Sequence, residues 1–522
     1  MARQVLGEFY HLNGGMDDKS DPIEIPEWMF RDLENFIVQR NSIHTRNGYK
    51  KEFSAALNSG EEIQRVYQHS KISDQTLLDI YIAGGKIYSG TSGTSFADIT
   101  NSLSIVNNRD VKPVLITWDG KLLGTDNLNL PFIFTDPSST SNGIVLNTSQ
   151  GAPQKAATGV AYKEHIIWFN LTDHAGNVRP FSCVFSEPFD PESYGTDNHL
   201  DFGRDQAVKA ALVHGDWLLV FQERATSMMW LESGSVDMPF RTVTLDNNVG
   251  CPTQDLAVNT EKGTFFIGAP NKGIYWIENG QPREPKYISK PLETFFSGVN
   301  WGRIKYGWAQ ELPEKNLVLF GVPHGTGQVQ NNKIVALNYD QWTLDADEDP
   351  HPSYSILKGT ANKPLSFNTA AKVVDANNRH RMLVGDYAGF GHKFDEGPTD
   401  DGEGITSSLD SSFYDFGTKG MEKLFLGLSI DGKMDSEKTL TVVYRTYRSA
   451  TSVSQSITGG VSGSVFGTAV FGSSVFGGNP FGSIPASIKG RGRFLDYTIR
   501  TTESFELHGV TVYGDRLGPF AT

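Results

Sequence analysis

The stretch TFFIGAPNKGIYWI, residues 264–277, shows in miniature the pattern that decides the fold of this chain. An apolar run ends at Gly268, a turn that contains Gly273 follows, and a second apolar run returns. Short apolar runs rich in aromatic and β-branched residues, separated by glycine turns, are typical of paired β-strands. The stretch therefore predicts two antiparallel strands joined by a tight connection.

The same design recurs along the middle of the chain, at residues 78–88, 114–123, 165–181, 217–230, 317–337 and 382–394. The residues that close the first run of each copy are Ala83, Trp118, Asn170, Gln222, Gly268, Gly321 and Gly385. They follow one another at intervals of roughly 50 residues, the length that a four-stranded propeller blade requires. We therefore expect an all-β fold, a β-propeller of six or seven blades. A series of β-sandwiches with similar hairpins is the alternative.

Composition divides the chain into three parts. Residues 1–55 are expected to form an N-terminal segment with a strand and a short helix over residues 27–39, where Trp28, Leu33 and Phe36 fall loosely on one face. Residues 56–405 are assigned to the propeller, and the acidic, glycine-rich stretch at 395–404 is interpreted as a loop or linker. Residues 406–522 are expected to form a β-sandwich with a Gly/Phe-rich loop (456–485) and a closing hairpin.

Four phenylalanines repeat with a period of five in the low-complexity loop, and they are Phe466, Phe471, Phe476 and Phe481. A period of five matches neither a helix nor a strand. Four exposed phenylalanines on one monomer would form an adhesive patch. We expect them to be buried in a neighbouring subunit or to line a constriction of a channel, and packing on their own sandwich is the alternative.

The sequence contains no recognisable catalytic or cofactor motif. G-x-S-x-G, the phosphate-binding P-loop and H-E-x-x-H are all missing. The two cysteines, Cys183 and Cys251, are too few for a disulfide framework or a cysteine metal site. We therefore expect no catalytic residue, no cofactor and no metal, and the protein is not expected to be an enzyme.

Charge also restricts the function. The net charge of −14 argues against a general nucleic-acid-binding surface, although an acidic wall lets a polyanion pass without sticking. The first residues lack the apolar core of a signal peptide, and no run approaches the roughly 18 apolar residues of a membrane span. We expect the protein to be made and assembled in the cytoplasm.

The C-terminal region begins with a basic glycine turn, KGRGRFLDYTIR at residues 489–500, which leads into two strands. Tyr497 and Ile499 alternate with polar residues in the first strand, and Phe505 and Leu507 do so in the second. Gly509 interrupts the second run, as a β-bulge would. This pattern resembles the closing hairpin of the hub and nozzle proteins of short-tailed phages.

The N-terminal region carries a matching set of motifs, which are Leu12-Asn13-Gly14-Gly15, Asn35-Phe36 and Arg46-Asn47-Gly48-Tyr49. A Gly-Gly turn, an asparagine some twenty residues later and an Arg-x-Gly element before the first blade resemble the opening of tail tubular protein B (the nozzle) and of the related hub, or packaged-DNA stabilisation, proteins. The motifs of the resemblance lie at both ends of the chain. The middle resembles the family only in its repeated blade pattern.

This resemblance implies a structural protein of the virion, assembled in the host cytoplasm. Such proteins form a ring, commonly a homohexamer, that continues the DNA channel below the head-to-tail adaptor and retains packaged DNA. The ring supports tail fibres, spikes or a needle, and it can meet the host envelope during DNA ejection. In this interpretation a phosphate or an acidic partner is contacted by Lys489, Arg491 and Arg493. The plainer alternative is that these residues form a turn exposed to solvent.

Two other functions remain open at this stage. A phage adhesin whose propeller binds host glycans is suggested by tryptophans and tyrosines near turns, where they could stack on sugars. A propeller glycoside hydrolase rests on analogy of fold alone.

Overall fold

The computed structural model describes residues 4–519, except 11, 41, 94, 139–142, 196–197, 204–205, 233–238, 345–349, 435–437, 447–451, 459–480, 487 and 489. Six strands precede the first blade: β1 (Val5–Tyr10), β2 (Gly15–Met16), β3 (Met29–Glu34), β4 (Phe36–Gln39), β5 (Ser42–Thr45) and β6 (Tyr49–Lys51). Short 3₁₀ turns occur at Leu57–Gly60, Thr148–Gln150, Gln254–Leu256, Lys290–Leu292, Ile304–Tyr306 and Pro313–Lys315, and one short helix, α1, spans Glu293–Ser297.

Seven blades follow in chain order. Blade 1 contains β7 (Ile63–Ser70), β8 (Leu77–Ala83), β9 (Lys86–Gly90) and β10 (Ala97–Asp98). Blade 2 contains β11 (Val114–Trp118), β12 (Lys121–Thr125), β13 (Phe132–Phe134) and β14 (Gly143–Val145). Blade 3 contains β15 (Lys155–Tyr162), β16 (His165–Thr172), β17 (Val178–Phe185) and β18 (His199–Asp201). Blades 4 and 5 contain β19 (Val208–His214), β20 (Trp217–Gln222), β21 (Thr226–Leu231), β22 (Phe240–Asp246); and β23 (Ala257–Thr260), β24 (Gly263–Gly268), β25 (Gly273–Glu278), β26 (Lys286–Tyr287).

Blade 6 contains β27 (Trp308–Leu312), β28 (Leu317–Val322), β29 (Lys333–Leu344) and β30 (Pro350–Lys358), and blade 7 contains β31 (Phe367–Val374), β32 (His380–Asp386) and β33 (Gly391–Phe394). The fourth strand of blade 7 is β6, from the N-terminal region, which pairs antiparallel with β33. Each innermost strand contacts the innermost strands on both sides, and β31 contacts β7, so the ring of blades is closed. The protein is therefore a seven-bladed β-propeller, which confirms the expected fold class and its higher blade number.

A second unit is built from both ends of the chain. After the two short strands β34 (Thr399–Asp400) and β35 (Glu403–Gly404) come β36 (Ser407–Ser411), β37 (Met421–Met434), β38 (Thr439–Thr446), β39 (Val453–Thr458), β40 (Phe481–Ala486), β41 (Gly490–Gly492), β42 (Leu495–Thr501) and β43 (Phe505–Pro519). One sheet has the order β4-β5-β43-β37-β40, with β1 on β43 and β41 on β37. The other has the order β3-β36-β42-β38-β39, and a shared apolar core lies between the two sheets.

The second sheet of this sandwich is continuous with blade 6. Strand β3 pairs with β36 on one side and, through Glu34 and Ile356, with β30 on the other. Backbone hydrogen bonds therefore run from the channel wall through blade 6 into the sandwich. Propeller and sandwich are joined by one ten-stranded sheet rather than by a linker.

Three expectations from the sequence are wrong in detail. Residues 27–39 form β3 and β4 instead of a helix, because Asn35 takes a positive φ of 57° between them and the backbone of β3 pairs with β36. The expected closing hairpin does not exist, because β42 and β43 lie in different sheets. The stretch 395–404 is not a plain linker, since β34 pairs with β6 at the edge of blade 7.

One expectation for the C-terminal region is confirmed. The register of β43 against β37 shifts beside Gly509, so the expected bulge is present. Both cysteines are buried free thiols. Within the described ranges, no helix is long and apolar enough to cross a bilayer.

Candidate functional site

The N-terminal motif residues meet in one buried junction between the sandwich, blade 6 and blade 7. Arg46 follows β5, and its Nη1 and Nη2 donate to the two carboxylate oxygens of Asp400 at 2.7 and 2.5 Å. Its Nε donates to Oδ1 of Asn35 at 2.8 Å. Because both members of the ion pair are almost completely buried, neither can exchange its partner for water. The pair therefore fixes the entry of β6 into blade 7.

Asn35 connects this ion pair to two further segments. Its Oδ1 also accepts from the backbone N–H of Lys358, at the end of blade 6, at 2.9 Å. Its Nδ2 donates to the carbonyl of Thr406, just before β36, at 2.8 Å. Asparagine is one of the few residues that adopt a positive φ readily and can also satisfy buried backbone groups. The conformation and the hydrogen bonds together explain why an asparagine stands here.

Gly48 permits the closest backbone approach in this junction. A Cβ at this position would lie 1.8 Å from the carbonyl oxygen of Thr399, so no other residue fits without moving the chain. The N–H of Gly48 donates to the carbonyl of Gly397 at 2.7 Å. The next residue, Tyr49, is buried with its ring edge-on to Phe367.

The Gly14-Gly15 turn lies against the outer strand of blade 6. Gly15 has a φ of +77°, and a Cβ on it would lie 2.4 Å from the backbone nitrogen of Tyr354. The hydroxyl of Ser353 donates to the carbonyl of Asn13 in the same turn. All three N-terminal motifs are therefore structural, and they attach the sandwich to the last two blades.

The central channel is a cavity of about 420 Å³ lined by the innermost strands of the seven blades. Charged side chains in and beside it are already paired. Arg65 contacts Asp255 at 2.6 Å, and Lys372 contacts Glu311 at 2.7 Å. Within the described lining, Asp255 is the one acidic residue.

The channel is bridged at the mouth where the innermost strands begin. Lys112 precedes blade 2, and its ammonium donates to the carbonyls of Tyr306 and Gly307, before blade 6, and of Asn368, in blade 7. Burial lowers the pKa of Lys112 to about 8. Arg65 of blade 1 reaches Asp255, before blade 5, in the same way. A bridged channel of this size cannot admit a duplex whose major groove alone is about 12 Å wide.

The residues singled out from the sequence at the C-terminus are only partly described. Phe466, Phe471 and Phe476 and also Lys489 lie outside the described residues, and Phe481 is described only as the first backbone position of β40. Arg491 is exposed on β41. Arg493 is half-buried, and its carbonyl accepts a hydrogen bond from Nζ of Lys423 at 3.0 Å. Their expected contacts with a partner stay predictions.

Sequence reasoning identified Arg46, Asn35 and Gly48 but missed Asp400. The acidic, glycine-rich stretch around Asp400 was interpreted as a loop or linker, and the pairing of Asp400 with Arg46 depends on blade 7 reaching β6. Among the described residues, no group of three or more His, Cys, Asp or Glu side chains is placed to hold a metal ion.

Comparisons with known proteins add solved structures of low similarity. No family model matches the chain, and no curated protein matches it. YCF48 from Cyanidioschyzon merolae is 9% identical with a TM-score of 0.35, covering 66% of this chain and 98% of its own. BamB from Moraxella catarrhalis is 9% identical with a TM-score of 0.33, and the match covers 66% of this chain and 99% of BamB. The exo-β-1,3-galactanase from Phanerochaete chrysosporium, solved with galactose, is 7% identical with a TM-score of 0.27. The match covers 89% of this chain and 100% of the galactanase.

Proposed function

We propose that this protein is a structural subunit of the tail of a short-tailed phage, of the nozzle or hub class. The observation that carries the proposal is the position of the motifs on which the resemblance rests. Asn35, Arg46, Gly48 and the Gly14-Gly15 turn all lie in the junction that joins propeller and sandwich. Shared motifs at such positions favour a shared architecture, with the function in the shape of the assembled subunit.

In this proposal the DNA path lies between subunits and not along the propeller axis, because the axis is narrow and bridged by Lys112 and Arg65. A homohexameric ring would surround the path below the head-to-tail adaptor and carry fibres, spikes or a needle. DNA would pass without specific binding, since a net charge of −14 repels phosphates. The ring would belong to the virion and would reach the host envelope during ejection.

A lateral contact between copies needs an exposed apolar surface. The outer edge of blade 2 offers one, with Leu128, Leu130, Ile144 and Val145 each more than a third exposed. Ile144 and Val145 belong to β14, the outermost strand of that blade; among the described strands only β13 pairs with it, which leaves its other edge available for pairing. We assign this edge to a second copy of the chain, because closed rings bury the same apolar patch in every subunit.

Electron microscopy and sedimentation velocity of the purified protein, alone and with its adaptor, test the proposal. We expect closed rings, and the double variant Ile144→Glu/Val145→Glu should remain folded but sediment as a monomer. Val178→Glu, which alters an exposed valine on blade 3, is the matched control and should still form rings. A wild-type protein that stays monomeric with the adaptor present would contradict the proposal.

The glycoside hydrolase alternative needs two carboxylates on either side of a sugar. In the described part of the channel the acidic residue is Asp255, which is held by Arg65. The geometry therefore favours the structural proposal over the catalytic alternative.

A further inference from the structure

A second cavity, of about 400 Å³, lies at the seam where β6 closes blade 7. We call it the seam cavity, and its lining residues used below are Tyr49, Lys51, Lys363, Phe367, Asp386, Phe390, His392 and Asp401. Its volume falls within the range of about 300–1,000 Å³ that is typical of small-molecule sites. None of the motifs on which the proposed function rests requires an open space at this place.

His392 is the buried polar residue of the seam cavity. It is 4% exposed, and its Nε2 lies 2.9 Å from Oδ2 of Asp386. Because a carboxylate only accepts hydrogen bonds, Nε2 carries a proton, and a neutral imidazole then presents Nδ1 as an acceptor. Nδ1 has no hydrogen-bond partner among the described residues. A buried acceptor without a partner is costly, so a hydrogen-bond donor that reaches Nδ1 through a small shift of the covering side chains would be stabilised.

The hairpin loop that holds His392 has two counterparts elsewhere in the propeller. In each, an aspartate accepts from the backbone N–H groups two and four positions later and from a basic side chain six positions later. The three pairs are Asp173 with Arg179, Asp375 with Arg381, and Asp386 with His392. An arginine performs the structural task in the two loops that do not line the seam cavity. The histidine in the third loop therefore needs a separate explanation.

The remaining lining indicates the chemistry of a ligand. The charged side chains are two lysines and two aspartates, and Lys363 already contacts Asp401 at 2.6 Å. The two lysines balance the two aspartates, so the charged side chains around the imidazole cancel, which favours an uncharged ligand. The rings of Tyr49, Phe367 and Phe390 surround the imidazole, and the partly exposed Phe390 supplies an apolar face. A ligand that combines hydroxyl donors with apolar C–H faces fits such a lining.

We propose that the seam cavity binds a neutral carbohydrate of one or two rings, one of whose hydroxyls donates to Nδ1 of His392. The apolar face of the sugar would lie against the aromatic rings, and Lys51, whose ammonium sits 3.8 Å from the centroid of Phe390, borders the opening. This inference rests on the cavity alone and goes beyond the structural role proposed above.

Isothermal titration calorimetry with a panel of neutral sugars tests this site. Glucose, galactose, mannose, N-acetylglucosamine and their common disaccharides are the probes. At least one should bind the wild-type protein, and His392→Gln should weaken that sugar about tenfold, because glutamine keeps a donor for Asp386 but has no acceptor at the position of Nδ1. Arg381→Gln, in the matching loop away from the cavity, should leave the affinity unchanged.

Two results would overturn the inference: silence of the whole panel, or equal affinity of the wild type and His392→Gln. Should His392→Gln fail to fold, Lys51→Met at the exposed opening gives the same comparison and is expected to weaken binding several-fold. A crystal soaked with the best probe should show it beside His392, and water alone in the cavity would contradict the proposal. Ring assembly is measured separately, so a failure there leaves the sugar result intact.

Discussion

Arg46 and Asp400 lie 354 positions apart in the chain and form a bidentate ion pair with almost no exposure to solvent. Arg46 leaves the last strand of the N-terminal sandwich region, and Asp400 leaves the last blade. The pair therefore joins the two places where the chain passes between its two units. Three predictions concern this junction and the blades beside it, and a fourth concerns the phenylalanine repeat.

Removing one partner of the ion pair should destabilise the fold strongly. Arg46→Met leaves the carboxylate of Asp400 buried and uncompensated, and Asp400→Asn leaves the guanidinium in the same condition. We expect each change to lower the free energy of unfolding by about 3–5 kcal/mol, and the double variant to lose less than the sum. Urea unfolding of the four proteins measures this coupling, and simple additivity would show that the two side chains act independently.

Gly48 should tolerate no side chain. Gly48→Ala places a methyl group against the carbonyl of Thr399, and relieving that contact requires movement of β34. We expect a loss of about 3 kcal/mol or more, since overpacking against backbone is harder to relieve than against a side chain. Gly404→Ala, in the following strand with no atom near its added Cβ, is the control and should change stability little. Thermal unfolding of both variants checks the difference.

A buried carboxyl in blade 1 should make stability fall as pH rises. Burial raises the pKa of Asp79 to about 6. Between about pH 4 and pH 6 the unfolded chain releases the proton while the folded chain retains it, so ionisation favours unfolding. The contribution of Asp79 to this loss should be up to about 3 kcal/mol over this range and should change little above it. Asp79→Asn should remove this part of the pH dependence, whereas Asp74→Asn, on the exposed loop before β8, should not.

The phenylalanine repeat should matter for assembly more than for folding. Replacing Phe466, Phe471 and Phe476 together by serine is expected to leave the unfolding transition unchanged, because the role predicted for these side chains lies in contacts between subunits. If these side chains are buried in a neighbouring subunit, the fraction of protein in rings should fall severalfold in sedimentation experiments. A lowered melting temperature with normal rings would favour packing on the same sandwich instead.

Much of the propeller could be predicted because its signal is local. Six of the seven markers lie in the second strand of a blade, where apolar runs are longest. Trp118 is the exception, since it ends β11, the first strand of blade 2, and this explains the uneven spacing around it. The repeat alone did not distinguish six blades from seven, because the strand that completes blade 7 is β6, which lies far from the other strands of that blade in the sequence.

The partners of strands could not be predicted in the same way. Leu495 to Thr501 and Phe505 onward alternate as two strands of a hairpin would, yet a sandwich corner gives the same alternation. The prediction of a helix at 27–39 was wrong for a related reason. Its apolar residues belong to β3 and β4, and the partner of β3 is the distant strand β36. Asn35, Arg46 and Gly48 could be identified as motifs in the sequence. Their location in one junction could not be predicted, because it depends on contacts between residues hundreds of positions apart.

The order of the strands also determines when this protein can fold during its synthesis. Strands β1 to β5 emerge first, but β1 and β3 pair with β43 and β36, near the other end of the chain. The apolar faces of β1 and β3 therefore stay uncovered until β36 and β43 have been synthesised, and exposed strand edges favour aggregation during that time. Premature termination anywhere in the propeller would release a product that has only the N-terminal strands of the sandwich, with their pairing edges uncovered.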